Sequence, residues 1–226
     1  MGKYRRTMAI CVGALMALAT LSACAGTQDP APTTSRQPPA TFPQSTAFVA
    51  DMEKDGKKMT IGISVDGADV TAYACNGSTD EAWFFGGQSD GRIDLTSRFR
   101  DTLTASYDGA ELDGDLTMDG VTYPFTAAPV EAPAGIYTAD ADGTRAAWIV
   151  RPDGSSIGVQ FSGISGRDFE QAELQQLKDE VFRSQIRNKR QLQQAQQLVR
   201  LQSGGVQSTI NGRKVTPVRV RGTFRM

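Results

Sequence analysis

The chain has 226 residues, 24 Lys+Arg against 25 Asp+Glu, no histidine, and a formal net charge of −1. That balance argues against a nucleic-acid binder, and the missing imidazole removes serine–histidine and cysteine–histidine catalysis. Three cysteines are too few for a disulfide framework, and without histidine they make a poor zinc set, so no cofactor is expected.

Lys3, Arg5 and Arg6 precede an apolar run over residues 8–20, which is short for a membrane span of ~20 residues and suits a signal-peptide core. The run leads into Leu21-Ser22-Ala23-Cys24. This ending resembles the lipobox of bacterial lipoprotein precursors, here of high-GC Gram-positive type. The resemblance implies diacylglyceryl transfer to the Cys24 sulfur, cleavage after Ala23, and acylation of the new amino terminus. Residues 1–23 would then be a signal peptide, and lipidated Cys24 would hold the chain on the extracytoplasmic face of the cell membrane. An uncleaved anchor helix is the alternative. Arg5-Arg6 keeps a twin-arginine export route open beside the general one.

Residues 24–45 are rich in Pro, Thr and Ser, with Pro30, Pro32, Pro38, Pro39 and Pro43. Such a stretch buries too little apolar surface to offset its ordering entropy, so it reads as a flexible tether. Thr33, Thr34 and Ser35 are possible sites for sugars, as in similar tethers of lipoproteins of that type.

From residue 46 to 226 the chain reads as one β domain. Asp-Gly or Asn-Gly pairs recur from Asp55-Gly56 to Asn211-Gly212 and suit tight hairpin turns. The runs between them alternate: Ile61, Ile63 and Val65 with Thr60, Gly62 and Ser64, and Leu103, Ala105 and Tyr107 with Thr104 and Ser106. Leu112, Leu116 and Met118 oppose Asp113, Asp115 and Thr117 in the same way. That pattern is an antiparallel meander with one wet face. Two runs, Ala82-Trp83-Phe84-Phe85 and Ala146-Ala147-Trp148-Ile149-Val150, are apolar on both faces and need cover on both sides. The break at residues 128–133 reads as a loop within the domain. Cys75, in a strand, reads as a buried, inert thiol.

Residues 168–202 contain no Gly or Pro and ten Gln, with apolar residues at helical spacing such as Leu174, Leu177 and Val181. Acids lead and bases follow, matching a helix dipole, so one long helix is expected there. A closing hairpin should follow, with Val218 and Val220 facing in, Arg219 and Arg221 out, and Pro217 marking an edge strand. The expected fold is therefore mainly β, an antiparallel barrel or sandwich of short hairpins with one long α-helix inserted before the C-terminal hairpin. The strands around Ala72-Tyr73-Ala74-Cys75-Asn76-Gly77 and Trp148-Ile149-Val150-Arg151-Pro152-Asp153-Gly154 resemble uncharacterised Asp-Gly-rich exported β domains. That resemblance implies no activity.

Charge is uneven: residues 24–160 are net −11 and residues 161–226 net +7. Attraction within one fold is the preferred reading; a basic end facing anionic lipid or acidic wall polymer is the other. Gly154-Ser155-Ser156-Ile157-Gly158 matches a nucleophile elbow but lacks a histidine partner and the strand–turn–helix context, so it reads as a turn. Thr138-x-Asp140-x-Asp142-Gly143 resembles the start of a calcium loop, but position 12 is Ile149 where glutamate is needed. It too reads as a turn.

These readings point to a lipid-anchored envelope protein acting as a non-catalytic binding or assembly module. Its partner would be an envelope protein, a lipid or a wall polymer, not nucleic acid. A carrier holding an apolar ligand or lipid between sheet and helix is the alternative, with Trp83, Phe85 and Trp148 as ligand-lining candidates. A histidine-free hydrolase of wall glycan, using two carboxylates, is a second alternative. No catalytic or metal-binding residue stands out.

Overall fold

The computed structural model describes residues 40–162 and 191–226. The first eight strands follow one another in a single antiparallel sheet. They are β1 (Ser45–Lys54), β2 (Lys57–Asp66), β3 (Asp69–Cys75), β4 (Glu81–Ser89), β5 (Arg92–Thr96), β6 (Thr102–Tyr107), β7 (Leu112–Met118) and β8 (Val121–Ala127). The sheet curls until its end meets its start. Phe48 bridges to Pro129, and Val130 N donates to Ala47 O at 2.8 Å. The product is a nearly closed barrel, and Pro124 in β8 suits a strand with one unpaired edge.

Strand alternation fills this barrel. Ile61, Ile63, Phe84, Leu103 and Leu116 point inward and are fully buried. Eight strands enclose just enough space for side chains. Phe42, within the stretch read as tether, stacks on Tyr107 with ring centroids 4.8 Å apart and meets Phe48 edge-on at 5.9 Å. Gly67 N donates to Gln44 O at 2.8 Å, so residues 40–44 lie across one end of the barrel, the tether end. The β1–β2, β3–β4, β5–β6 and β7–β8 turns lie at the far end.

Asp55-Gly56, Asp90-Gly91, Asp119-Gly120, Asp142-Gly143 and Asn211-Gly212 have both residues at positive φ, as primed hairpin turns require. Asp113-Gly114 departs from the expected turn role and lies inside β7. A Cβ on Gly114 would stand 2.8 Å from both Ala105 Cβ and Phe125 Cζ, so the glycine leaves room for the Phe125 ring.

Five more strands in sequence are β9 (Gly135–Ala141), β10 (Thr144–Val150), β11 (Ser156–Ser162), β12 (Gln191–Gln194) and β13 (Val199–Arg200). The last three are β14 (Val206–Ile210), β15 (Arg213–Val215) and β16 (Val218–Arg219). A second sheet has the order β12-β11-β10-β9-β16, and a small third sheet the order β13-β14-β15. The second sheet lies across the outside of β2, β3 and β4, where Ile136, Ala147, Ile149 and Val220 meet Tyr73, Cys75 and Trp83. The third sheet covers the second: Ala146, Trp148 and Val150 pack with Ala195, Val206 and Ile210.

Both strands that needed cover on two faces, β4 and β10, have it, and the cover is β-sheet. The expectation of one wet face therefore fails at β2, where Thr60 and Ser64 are only 2% and 7% exposed. The long helix is also corrected over its last third. Gln191–Gln194 forms a strand on β11, with Ser162 opposite Gln191, and Val199–Arg200 pairs with β14. Gln, Leu and Ala favour helix only by tenths of a kcal/mol per residue, less than pairing the open edge of β11 supplies. Residues 168–190, like the leader and most of the tether, lie outside the described residues.

β16 is an edge strand, as Pro217 implied. Val220 is 3% exposed between the layers, but Val218 is 61% exposed, against the expectation that both face in. An outermost strand has a neighbour on one side only, so its burial depends on how far the barrel extends beneath it.

Ion pairs join barrel to second layer with one polarity. Asp51, Glu81 and Asp69 on the barrel pair with Arg151, Arg145 and Arg225 at 2.7, 3.3 and 2.8 Å. Of the ion pairs, Asp69–Arg225 and Asp142–Arg213 join residues 24–160 to residues 161–226, while Arg145 and Arg151 lie in the acidic front itself. The tightest pair is bidentate: Arg151 Nε and a terminal nitrogen donate to the two Asp51 carboxylate oxygens at 2.7 and 2.8 Å. Hydrogen bonding from Arg151, aided by Thr60, outweighs burial and holds the Asp51 carboxyl below its ordinary range. A carboxyl depressed on folding adds stability above its unfolded pKa of ~4, lost as pH falls through the folded value. Asp51 is 56% exposed on its side chain, so solvent screening limits the gain to ~1 kcal/mol. Urea melts should show wild type ahead of Asp51→Asn by a constant margin above pH ~5, shrinking below pH ~4. An unchanging margin at low pH would sink this assignment.

Candidate functional site

The far mouth of the barrel is the concave feature opposite the tether. Buried Met59, Met118 and Tyr123, with half-buried Val121, form an apolar floor, and Leu192 of β12 supplies a wall. Lys57, Lys58, Asn76, Thr79, Asp80 and Asp119 ring a space of ≈ 710 Å³. Asn76 organises one side: its Oδ1 accepts from the Ser78, Thr79 and Asp80 backbone N–H groups at 3.0, 2.9 and 3.0 Å. Buried Asp101 accepts from Ser97 Oγ at 2.8 Å and from Asp119 N at 3.3 Å, tying two turns of the mouth together. Burial, then the charges of Asp80, Asp119 and Asp55, keep the Tyr123 phenol above its ordinary pKa. It stays a neutral hydroxyl at physiological pH. An apolar floor under a rim of both charge signs can hold an amphipathic group. Among the described residues, no three acidic or cysteine side chains come together in a way that would hold a metal ion.

A second depression of ≈ 770 Å³ lies over the outer face of β5 to β8, among Arg92, Asp94, Thr104, Asp113, Asp115 and Thr126. It is the wet face expected of the meander. Threonine there follows from its strand preference.

The three aromatic candidates are not gathered into one cleft. Trp83 and Phe85 stack at 5.8 Å between barrel and second sheet, beside Tyr73 and Phe224. Trp148 lies on the opposite face of β10, fully buried, with its Nε1 donating to Gln196 O at 2.7 Å. Strand alternation separates it from Ala147 and Ile149, which face the barrel. Arg145 reaches over Trp83 at 5.9 Å and Phe161 at 5.6 Å, while Glu81 accepts from it and from Tyr73 Oη. Trp83 Nε1 is buried with no acceptor among the described residues. Cys24 lies outside them.

Cys75 is buried in the same interlayer space, and burial there pushes its thiol pKa up to about 12. A water-soluble thiol reagent at neutral pH should label it only after denaturant is added. Rapid labelling of the native protein would contradict its placement.

The serine and aspartate motifs each straddle a turn and a strand: Gly154-Ser155 and Asp142-Gly143 lie in turns, Ser156 to Gly158 in β11, and Thr138 and Asp140 in β9. Asp153 Oδ1 accepts from Ser155 N and Oγ in the β10–β11 turn, and Gly158 lies in β11. A Cβ on Gly158 would stand 2.6 Å from Trp148 Cδ1, so this glycine accommodates the indole. Asp142 pairs with Arg213, joining the β9–β10 turn to β15. Sequence reasoning did not find the far mouth, whose twelve residues come from seven separate stretches between Gly56 and Leu192 with no shared motif. No family model, curated protein or solved structure matches the chain.

Proposed function

We propose that the chain is a lipid-anchored, non-catalytic binding or assembly module of the cell envelope, held through Cys24 on the extracytoplasmic face of the membrane. The lipobox supports the anchor. The observation that carries the functional reading is the position of residues 40–44 across one end of the barrel, with the apolar-floored mouth at the other. A domain tethered at one end presents its opposite end outward, so the mouth is the natural docking point for an envelope partner.

Carriage of an apolar ligand or lipid is the second reading, favoured by the Met59 and Met118 floor. Side chains such as Phe84 and Leu116 fill the barrel behind it, so such a ligand would sit in the mouth.

Two measurements separate these claims. Cys24→Ala should leave an unacylated, uncleaved precursor; processing and detergent partitioning like wild type would reject the anchor. A photo-crosslinker at exposed Thr79 in intact cells should capture a discrete envelope component, whereas one at exposed Thr104 should not. Equal capture from both positions would reject the mouth as the docking point. Lipid extracted from purified protein would move the carrier reading ahead.

A further inference from the structure

Eight basic side chains are described in the second and third sheets and their connections. Arg145, Arg151, Arg213 and Arg225 each pair with a carboxylate. Arg200, Lys214, Arg219 and Arg221 have no carboxylate at ion-pair distance among the described residues, and all four are exposed. They are interleaved with most of the exposed large apolar residues among those described: Val199 and Leu201 flank Arg200, and Val218 precedes Arg219.

Register places these groups together. Val199 lies opposite Gln207 and Lys214 opposite Thr209, two residues along β14, so both share its outward face. Arg219 lies opposite Tyr137, and its guanidinium donates to Ala134 O at 2.9 Å, which fixes its position. Val215, next to Lys214, packs in the cluster that holds Tyr137, the residue opposite Arg219, and the charges of both Arg219 and Arg200 act on that phenol against the effect of its burial. The patch also reaches the tether end. Directly after Arg221, Gly222 N donates to Asp66 Oδ2 at 2.8 Å, beside the Gly67 that holds Gln44.

We infer that residues 199–201 and 214–221 form a patch that docks on the anionic headgroups of the membrane bilayer. This rests on the lipid-anchored reading. Fifteen residues separate Cys24 from Ala40, a reach of at most ~55 Å, so the tether end stays within that distance of the bilayer. Basic residues attract anionic headgroups, and valine and leucine beside them enter the interface. Asp90, Asp108 and Glu111 lie in turns at the tether end of the barrel and repel the same surface. They tilt the domain so that its later sheets meet the membrane.

The test uses the chain from Ala25 onward, unacylated, with vesicles of phosphatidylcholine alone or mixed with phosphatidylglycerol. Sedimentation should show binding to the anionic vesicles that weakens as salt is raised. Combined Lys214→Ala and Arg221→Ala should lower the affinity by about fivefold for each charge removed. Combined Lys54→Ala and Arg92→Ala, exposed on the barrel outside both the mouth and the patch, should leave it unchanged, with urea midpoints confirming that both variants fold. Equal binding to both vesicle types, or equal loss from the two double variants, would overturn the patch. Binding to soluble poly-glutamate as tight as to anionic vesicles would overturn the membrane in favour of an acidic polymer. Absent vesicle binding with Cys24 acylated in cells rejects the patch alone. Anionic binding with Cys24 unacylated rejects the anchor and keeps the patch.

Discussion

Trp148→Ala is expected to lose about 3–5 kcal/mol in urea melts, the range for deleting a fully buried aromatic side chain. Trp148 has 0% exposure and occupies the space between β10 and the third sheet, where it touches no barrel residue of the interlayer cluster. Its removal should therefore loosen the C-terminal hairpin more than the barrel. Hydrogen exchange would show the difference as protection lost across β14 and β15 before β5 to β8. Trp148→Phe keeps much of the apolar area but removes the N–H bonded to Gln196 O, for an expected loss of ~1–3 kcal/mol. A loss below ~1 kcal/mol for the alanine variant would mean that the third sheet does not cover β10 as described.

The second large effect separates the two faces of one strand. Phe84 points into the barrel and is fully buried, so Phe84→Ala should cost about 3–5 kcal/mol. Phe85, its neighbour, points outward and is half-buried. It stacks on Trp83, meets Phe224 at 6.4 Å and lies 6.0 Å from the Arg225 guanidinium. Phe85→Ala should cost ~1–2 kcal/mol, since solvent already reaches part of the ring. Deleting residues 222–226 should make Phe85→Ala nearly silent, because the tail supplies much of what that ring touches. Equal costs at the two positions in the intact chain would contradict a barrel interior distinct from the interlayer.

The element order was largely legible from hairpin grammar. Paired positive-φ Asp-Gly and Asn-Gly turns and period-two alternation depend on local backbone sterics and on one apolar face per strand. Both are written in consecutive residues, which is why β6 and β7 emerge with their inward residues as expected. The double-sided strands were legible as a demand for cover, since Trp83 and Phe84 cannot both face water. What covered them was not. A Gln-rich run with Leu192, Ala195 and Val199 at helical spacing also satisfies a strand, and the open edge of β11 decided for strand at Gln191–Gln194. That edge exists only once the second sheet has assembled.

The far mouth shows the same division. Its floor could be read from sequence as inward residues of β2, β7 and β8, but not as a shared site. Met59, Met118 and Tyr123 meet because the sheet closes, and closure depends on twist and curl summed over eight strands. The basic patch was visible as composition, a positive C-terminal stretch. Only the fold sorted it, pairing Arg213 and Arg225 with carboxylates and leaving Arg200, Lys214, Arg219 and Arg221 exposed beside valine and leucine. By itself the sequence determined the alternating strands and most hairpin turns before residue 162, because these follow from neighbours along the chain. Tertiary structure alone decided which sheet covers which and which charges meet, because those choices depend on residues as far apart as Asp51 and Arg151, or Asp69 and Arg225.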